Sequence, residues 1–399
     1  MTRRAHSATP LLLLAVSLTA FAVLCVAQRA PMADALVYQA EGEAVLDGRD
    51  LYGFTVTEWH LPATYPPFAA LLFTPAAWLS TTALKAAFLT GNTLLVACLV
   101  RLSARLAGLR ATAPALCAAT ALALWLEPVF QTLLFGQINL ALACLVLWDL
   151  TRPAGARARG VAVGVAAGIK LTPAVFIAYL LLTGRRREAA TATAAFTGTV
   201  LAGALLLPAA SADFWLRRLW ETGRVGKPWI VDNQSLQGMI ARALGDPAPG
   251  PAWWLPALLA AAGGLWLAAR AAGDRHGIPL AATTALLVSP VSWSHHWVWC
   301  VPLIAVLLAD GRPRLAALTA AVFTARTLWL VPHEGPRDLH LPWWQQLLAS
   351  PYPLLGLAVL VGSAVPGAVH GQQDVRVVED AQHHRHQAAP RDHVLRDDV

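Results

Sequence analysis

The sequence predicts an all-α, polytopic integral membrane protein, and three observations carry that prediction. Hydrophobic residues make up 57% of the 399-residue chain and charged ones only 13%, against roughly 45–50% and about 25% in soluble domains. Mean hydropathy is +0.53. Apolar runs of about 17 to 22 residues recur along nearly the whole length, each long enough to cross roughly 30 Å of hydrocarbon as a helix that satisfies its own backbone hydrogen bonds. The chain accordingly divides into a cytoplasmic N-terminus (1–10), a membrane unit (11–366) and a disordered cytoplasmic tail (367–399).

Taken in order, the elements follow from apolar length and arginine placement. Arg3 and Arg4 precede the run from Leu11 to Ala27, which is long for a cleaved signal and reads as an uncleaved first span with its N-terminus inside. Residues 28–66 then lie outside. The stretch YPPFAALLFTPAAWLS (65–80) is short and interrupted by Pro66, Pro67 and Pro75, which predicts a helix lying in the interface. Spans follow at about 82–102, ending in Arg101, Arg105 and Arg110, at about 112–127, and at about 133–150, ending in Arg152, Arg157 and Arg159. Residues 160–187 are flanked by arginines at both ends, so two short segments meeting at Lys170 to Pro173 satisfy the charge rule where one crossing does not. Pro173 supplies the break, and Gly160, Gly164 and Gly168 the close packing. Later spans are expected at about 189–209, 252–269, 278–290, 297–309, 315–331 and 346–366, giving about twelve crossings with both ends inside.

The net charge of +7 arises from arginine clusters between apolar spans, which mark topology and do not form a nucleic-acid-binding face. All five cysteines (Cys25, Cys98, Cys117, Cys144, Cys300) fall within apolar spans and are odd in number, so they read as free thiols. His383, His384 and His386 belong to a solvated tail. The adjacent His295 and His296 point about 100° apart on a helix and do not make a metal pair. No metal or cofactor is expected.

With that orientation the polar groups sort to one side. The outer segments carry Asp34, Glu41, Glu58, His60, Tyr65, Gln131, Gln137, Asn139, Asn233, Gln234, Ser235, His295 and His296, together with most of the 16 tryptophans. Polar groups bordering hydrocarbon are costly, so function is expected on this face. Most of the tryptophans form an interfacial belt, and a few suit stacking on sugar rings. Asp34, about 10 Å beyond the end of span 1 if the helix continues, is the candidate general base. Lys170, at the hairpin tip, is the candidate cation for a lipid phosphate. One of His295 and His296 is expected to bind phosphate or sugar, and Asn233, Gln234 and Tyr65 are further candidates for the donor phosphate or sugar. Helix capping is the competing role for Asn233, Gln234 and Ser235. Arg217, Arg218 and Arg224, in the positively charged loop at 210–250, are candidates for attracting an anionic acceptor.

The chain contains neither a Walker loop nor a dinucleotide fingerprint, and no large cytoplasmic domain that would bind a nucleotide sugar. An enzyme acting outside therefore needs a lipid-carried donor. The ordered set of Asp34 with DGRDLY, then ATYPPFAALLFTPAAWL, FGQINLALACLVLWDL, GVAVGVAAGIKLTPAVFIAYLLL, DNQSLQGMIAR and SPVSWSHHWVW, resembles the actinobacterial polyprenyl-phosphate-mannose-dependent α-(1→2)-mannosyltransferases. The resemblance spans about residues 11 to 366. It implies a GT-C-type glycosyltransferase fold in the plasma membrane, an extracytoplasmic site, a polyprenyl-phosphate-mannose donor, a mannosylated lipid or lipoglycan acceptor and an inverting transfer. It also implies Asp34 as base, with Lys170 and His295 or His296 holding the donor phosphate. Two alternatives stand beside it. One is a transferase using another polyprenyl-phosphate sugar such as arabinose. The other is a flippase or transporter of lipid-linked sugars, which usually shows paired broken helices and mid-membrane charges.

Overall fold

The computed structural model describes residues 2–28, 30–332 and 335–365, so the expected tail at 367–399 and its histidines lie outside the described residues. Helix α1 (Thr2–Ala27) precedes α2 (Ala33–Leu46), and a two-stranded hairpin, β1 (Thr55–Val56) and β2 (Leu61–Pro62), follows. The chain continues through α3 (Pro67–Phe73), α4 (Thr81–Ala107), α5 (Ala113–Ala123), α6 (Glu127–Phe135), α7 (Asn139–Leu150), α8 (Val161–Ile169), α9 (Val175–Leu182) and α10 (Arg186–Leu206). The remaining helices are α11 (Pro208–Leu216), α12 (Leu236–Leu244), α13 (Pro251–Arg270), α14 (Asp274–Val288), α15 (Cys300–Ala309), α16 (Pro313–Ala325), α17 (Trp343–Ala349) and α18 (Pro351–Ala364).

Among the described residues, four helical stretches are long and apolar enough to cross a membrane: Thr9–Ala27, Thr81–Ala107, Arg186–Leu206 and Pro251–Arg270. Two bent pairs join them, α5 with α6 at 76° and α17 with α18 at 77°. The other expected crossings coincide with shorter helices, among them Asn139–Leu150 and Ser294–Ala309. Local chemistry sets the ends. Ser80 and Thr112 cap α4 and α5 with their side-chain oxygens, and α4 stops at Gly108 in the left-handed conformation. The proline-broken stretch after Tyr65 forms α3 and then a 3-10 turn, Thr74–Trp78, too short to span.

The segment at 160–187 doubles back. Arg159, just before α8, pairs with Glu188 at 3.2 Å and with Asp274 at 3.4 Å. Arg185, just after α9, reaches the same two carboxylates at 2.5 and 2.7 Å. The two ends of the segment therefore share one cluster, which is the geometry of a hairpin with its tip at Lys170–Thr172. Asp149, fully buried, accepts the backbone N–H groups of Gly160, Ala162 and Val163 at 2.9, 2.9 and 3.2 Å and so caps α8. Packing against α10 explains the glycines. A β-carbon at 160, 164 or 168 would collide with the Glu188 carbonyl, the Ala192 carbonyl and the Thr199 hydroxyl respectively.

The arginines that follow α10 are paired with acids of the same segment. Asp213 pairs with Arg217 at 2.6 Å and with Arg218 at 2.8 Å, and Glu221 takes Arg218 at 3.1 Å and Arg224 at 4.0 Å. The expectation that Arg217, Arg218 and Arg224 attract an anionic acceptor is weakened accordingly, because two acids of the same segment partly compensate these three charges.

Candidate functional site

The site forms where helices break. Met32 adopts a left-handed conformation (φ 49°) ahead of α2 and donates its N–H to the Leu134 carbonyl at 3.1 Å, so α2 starts against the end of α6. Gly136 ends α6 at φ 67°. A β-carbon there would lie 2.8 Å from that of Ala35, so the close approach of α2 to the α6–α7 break requires glycine. Asp34 consequently sits in the first turn of α2, where an acid is favoured by the helix dipole, beside the Gly136–Ile138 turn.

Gln137 organises this side. Its Oε1 accepts the Tyr38 hydroxyl at 2.6 Å, the Tyr65 hydroxyl at 3.0 Å and the Ile138 N–H at 2.8 Å. That saturation fixes the amide orientation and leaves the NH2 group for Asp34, to which Gln137 hydrogen-bonds. Tyr38 is held in turn by stacking on Phe73 at 4.3 Å.

Lys170 supplies the opposite side. It follows the last residue of α8 in an extended conformation, and its side chain reaches α7 and the 3-10 turn at Ser294–Trp299. Its Nζ donates to Asn139 Oδ1 at 3.0 Å, lies 2.9 Å from His296 Nε2 and sits 5.3 Å above the Tyr65 ring. A lysine ammonium only donates, so His296 accepts at Nε2 and is neutral with its hydrogen on Nδ1. Asn139 Nδ2 and Thr132 Oγ1 both donate to the His295 carbonyl at 3.1 Å, which ties the 3-10 turn Ser294–Trp299 to α6 and α7.

The electrostatics separate two carboxyl groups on one face of α2. Burial pushes Asp34 up to about 6, opposed by the charge of Lys170 and the Gln137 hydrogen bond. Glu41, two turns further on and 1% exposed, is pushed up to about 8, by burial first, with the Thr64 backbone opposing and the Asp34 charge adding to the rise. Near neutral pH Asp34 is the ionised member and Glu41 the protonated one. A base facing a cation across a cleft suits group transfer onto a hydroxyl with an anionic leaving group.

The structure thus brings together Asp34, Tyr65, Lys170 and His296 from the expected set, with His295 adjoining at 4.9 Å between ring centres. His295 is 8% exposed and its Nε2 has no partner, whereas His296 meets the lysine. Asn233 and Gln234 are corrected. Both are completely buried. The Asn233 amide donates to the carbonyls of Pro228 and Pro290 and accepts the N–H groups of Ser235 and Ser292. The Gln234 amide donates to the carbonyls of Val231 and Ala349 and accepts from the Tyr352 N–H. With those bonds made they clamp loops together and have no donor left for a sugar, while Ser235 caps α12 by accepting from the Gly238 N–H. Tyr38, Gln137 and Asn139 belong to the site although none was among the expected binding residues. The available signal was the pair of amides in FGQINL, isolated in apolar sequence. Among the described residues no group of three or more His, Cys, Asp or Glu side chains is placed to hold a metal.

Comparison with known proteins gives this geometry a context. Residues 63–290 match glycosyltransferase family 87. Over 357 residues, 82% of each chain, the sequence is 36% identical to a polyprenol-phosphate-mannose-dependent alpha-(1-2)-phosphatidylinositol mannoside mannosyltransferase of Mycobacterium tuberculosis. A protein of the same description from Mycolicibacterium smegmatis is 36% identical over 369 residues, again 82% of each chain. A phosphatidylinositol pentamannoside mannosyltransferase, also from Mycolicibacterium smegmatis, is 34% identical over 331 residues, 78% of each chain. No solved structure is matched.

Proposed function

The chain belongs to glycosyltransferase family 87, and from that premise we propose that it transfers mannose from a polyprenyl-phosphate-mannose donor to a mannosylated phosphatidylinositol or related lipoglycan acceptor. The reaction takes place at the extracytoplasmic face of the plasma membrane, inverts the anomeric centre and forms an α-(1→2) linkage. The observation that carries the reading is the Asp34 carboxylate placed with the Lys170 ammonium, through Gln137 and Tyr65, in a single cleft. The chain adopts a GT-C-type arrangement of about twelve crossings within residues 11–366, with residues 1–10 and 367–399 in the cytoplasm.

In this reading Asp34 accepts the proton of the acceptor hydroxyl as its oxygen attacks the anomeric carbon. The bond from that carbon to the phosphate oxygen breaks, and its electron pair leaves with polyprenyl phosphate. Phosphate is already a good leaving group, so a single base suffices, and the remaining requirement is positive charge and hydrogen-bond donors on the departing oxygens. Lys170 supplies the charge and His296 Nδ1–H a donor, while Asn139 and Tyr65 hold the lysine in place. Gln137 keeps the Asp34 carboxylate aimed and ionised.

Purified protein given polyprenyl-phosphomannose and mannosylated phosphatidylinositol tests the reading. Asp34→Asn is expected to lower transfer by roughly 10²- to 10⁴-fold, the range of a general base, without loss of folded protein. Undiminished transfer by that variant would remove Asp34 from the mechanism. A wild-type protein that moves the donor across vesicle membranes but transfers to no acceptor would sink the transferase reading.

A further inference from the structure

The β1–β2 hairpin pairs Thr55 with Pro62 and Val56 with Leu61, leaving a four-residue loop of Thr57, Glu58, Trp59 and His60. Thr57 at φ 66° and His60 at φ 50° are both left-handed, and for a β-branched threonine that conformation is an outlier. The loop is tied internally, since the Trp59 N–H donates to Thr57 Oγ1 at 3.3 Å and the His60 N–H to the Thr57 carbonyl at 3.1 Å. A strained turn is kept where surrounding structure or function demands it. What this turn does is raise Trp59 at its tip.

Trp59 is half exposed yet not isolated. Its ring meets the edge of Phe135, with centroids 6.4 Å apart at 70°. Phe135 immediately precedes the Gly136–Gln137 turn and packs on His295 at 5.7 Å, beside His296 and its lysine. A line of aromatic rings therefore runs from the exposed indole to the phosphate-binding end of the cleft, while both strands of the hairpin rest on α2, the helix of Asp34. Trp78, Trp220 and Trp343 are more exposed, and none makes a ring contact leading to the cleft among the described residues.

We infer that Trp59 is a substrate-positioning residue, a platform on which a pyranose ring stacks at the mouth of the cleft. The face of an indole is electron-rich, and the axial C–H groups of a pyranose present a weakly positive apolar face that matches it. The strained turn holds that platform in advance, so little order has to be created when the sugar arrives. The ring belongs either to the donor mannose or to the terminal mannose of the acceptor. The inference rests on the sugar-transfer reading above.

Two measurements test it. In steady-state transfer with each substrate varied in turn, Trp59→Ala is expected to lose roughly 5-fold or more in kcat/KM, through the KM of one substrate. The substrate affected identifies which sugar stacks. Trp59→Phe keeps activity within about twofold, and Trp59→Leu behaves like the alanine variant, because stacking needs a π face. Leucine restoring activity as well as phenylalanine would show an apolar membrane anchor instead and overturn the platform, as would an alanine variant indistinguishable from wild type. The second measurement does not depend on transfer. Octyl α-mannoside is expected to protect Trp59 in the wild-type protein from oxidation by N-bromosuccinimide, read by mass spectrometry of its peptide. Absence of protection overturns the platform, whereas protection in a protein without mannosyl transfer would overturn the proposed donor alone.

Discussion

The α8–α9 hairpin has a polar cluster at each end, and the two are built on opposite plans. At its base, Arg159 and Arg185 share Glu188 and Asp274, Asp274 also accepts the Tyr179 hydroxyl at 2.8 Å, and the neighbouring Asp149 accepts three backbone N–H groups. With Arg152, which meets Asp149 at 3.3 Å, three cations meet three carboxylates there, so charge is balanced on the spot. At its tip Lys170 is held by neutral partners, Asn139, His296 and the Tyr65 ring, while its countercharge, Asp34, arrives from another helix. The base is a charge-paired network, which fixes geometry. The tip keeps charge in reserve, which is what a reacting pair of substrates requires. Burial alone does not distinguish them; the identity of the partners does.

Substitutions on either side of that contrast should behave differently. The largest effect is expected at the tip. Lys170→Met should lower kcat by roughly 10²- to 10³-fold, the cost of losing one preorganised stabiliser of departing charge, with the thermal midpoint in detergent nearly unchanged. A large loss of stability together with intact turnover of the folded fraction would show that the tip is structural after all. Asp149→Asn at the base should do the reverse, costing about 1–3 kcal/mol of stability while the kcat of folded enzyme stays within a few-fold.

The ionisation of α2 sharpens the comparison further. Because Asp34 must be ionised to act and burial pushes it up to about 6, log kcat/KM should climb with a slope of about 1 below that pH. A profile flat down to pH 4.5 would place the base elsewhere. Glu41 gives the smallest effect, on stability. Its folded-state pKa, pushed up to about 8, lies above the value of about 4.3 in an unfolded chain. The folded state then binds the extra proton, and stability falls as pH rises through the window between those values, by up to a few kcal/mol at about 1.4 kcal/mol per pH unit. Glu41→Gln should flatten this decline, seen as a smaller drop in thermal midpoint between pH 5 and 8.

Much of this was legible in the residues. Arginines on both flanks of 160–187 forced a hairpin, the glycines indicated its packing, and the prolines after Tyr65 ruled out a span there. Asp34 and Lys170 stood out because charge in apolar sequence is rare and costly. Asn233 and Gln234 misled for the same reason. Sequence marks an amide as polar but does not say whether carbonyls from distant loops, such as those of Pro290 and Ala349, will saturate it. The choice of His296 over His295 depended on a 2.9 Å approach across 126 residues of chain. The crossing count was hardest to read, because bent and shortened helices break the link between apolar length and passage through a bilayer.

The doubling back between Arg159 and Arg185 also bears on parity. If residues 160–185 passed once from side to side, every later loop would change compartments, and His296 would be separated by the bilayer from Asp34. A hairpin that returns to its starting side adds an even number of passes between those two residues. Reagents that cannot permeate the membrane should therefore label single cysteines introduced at positions 152 and 186 from one and the same side.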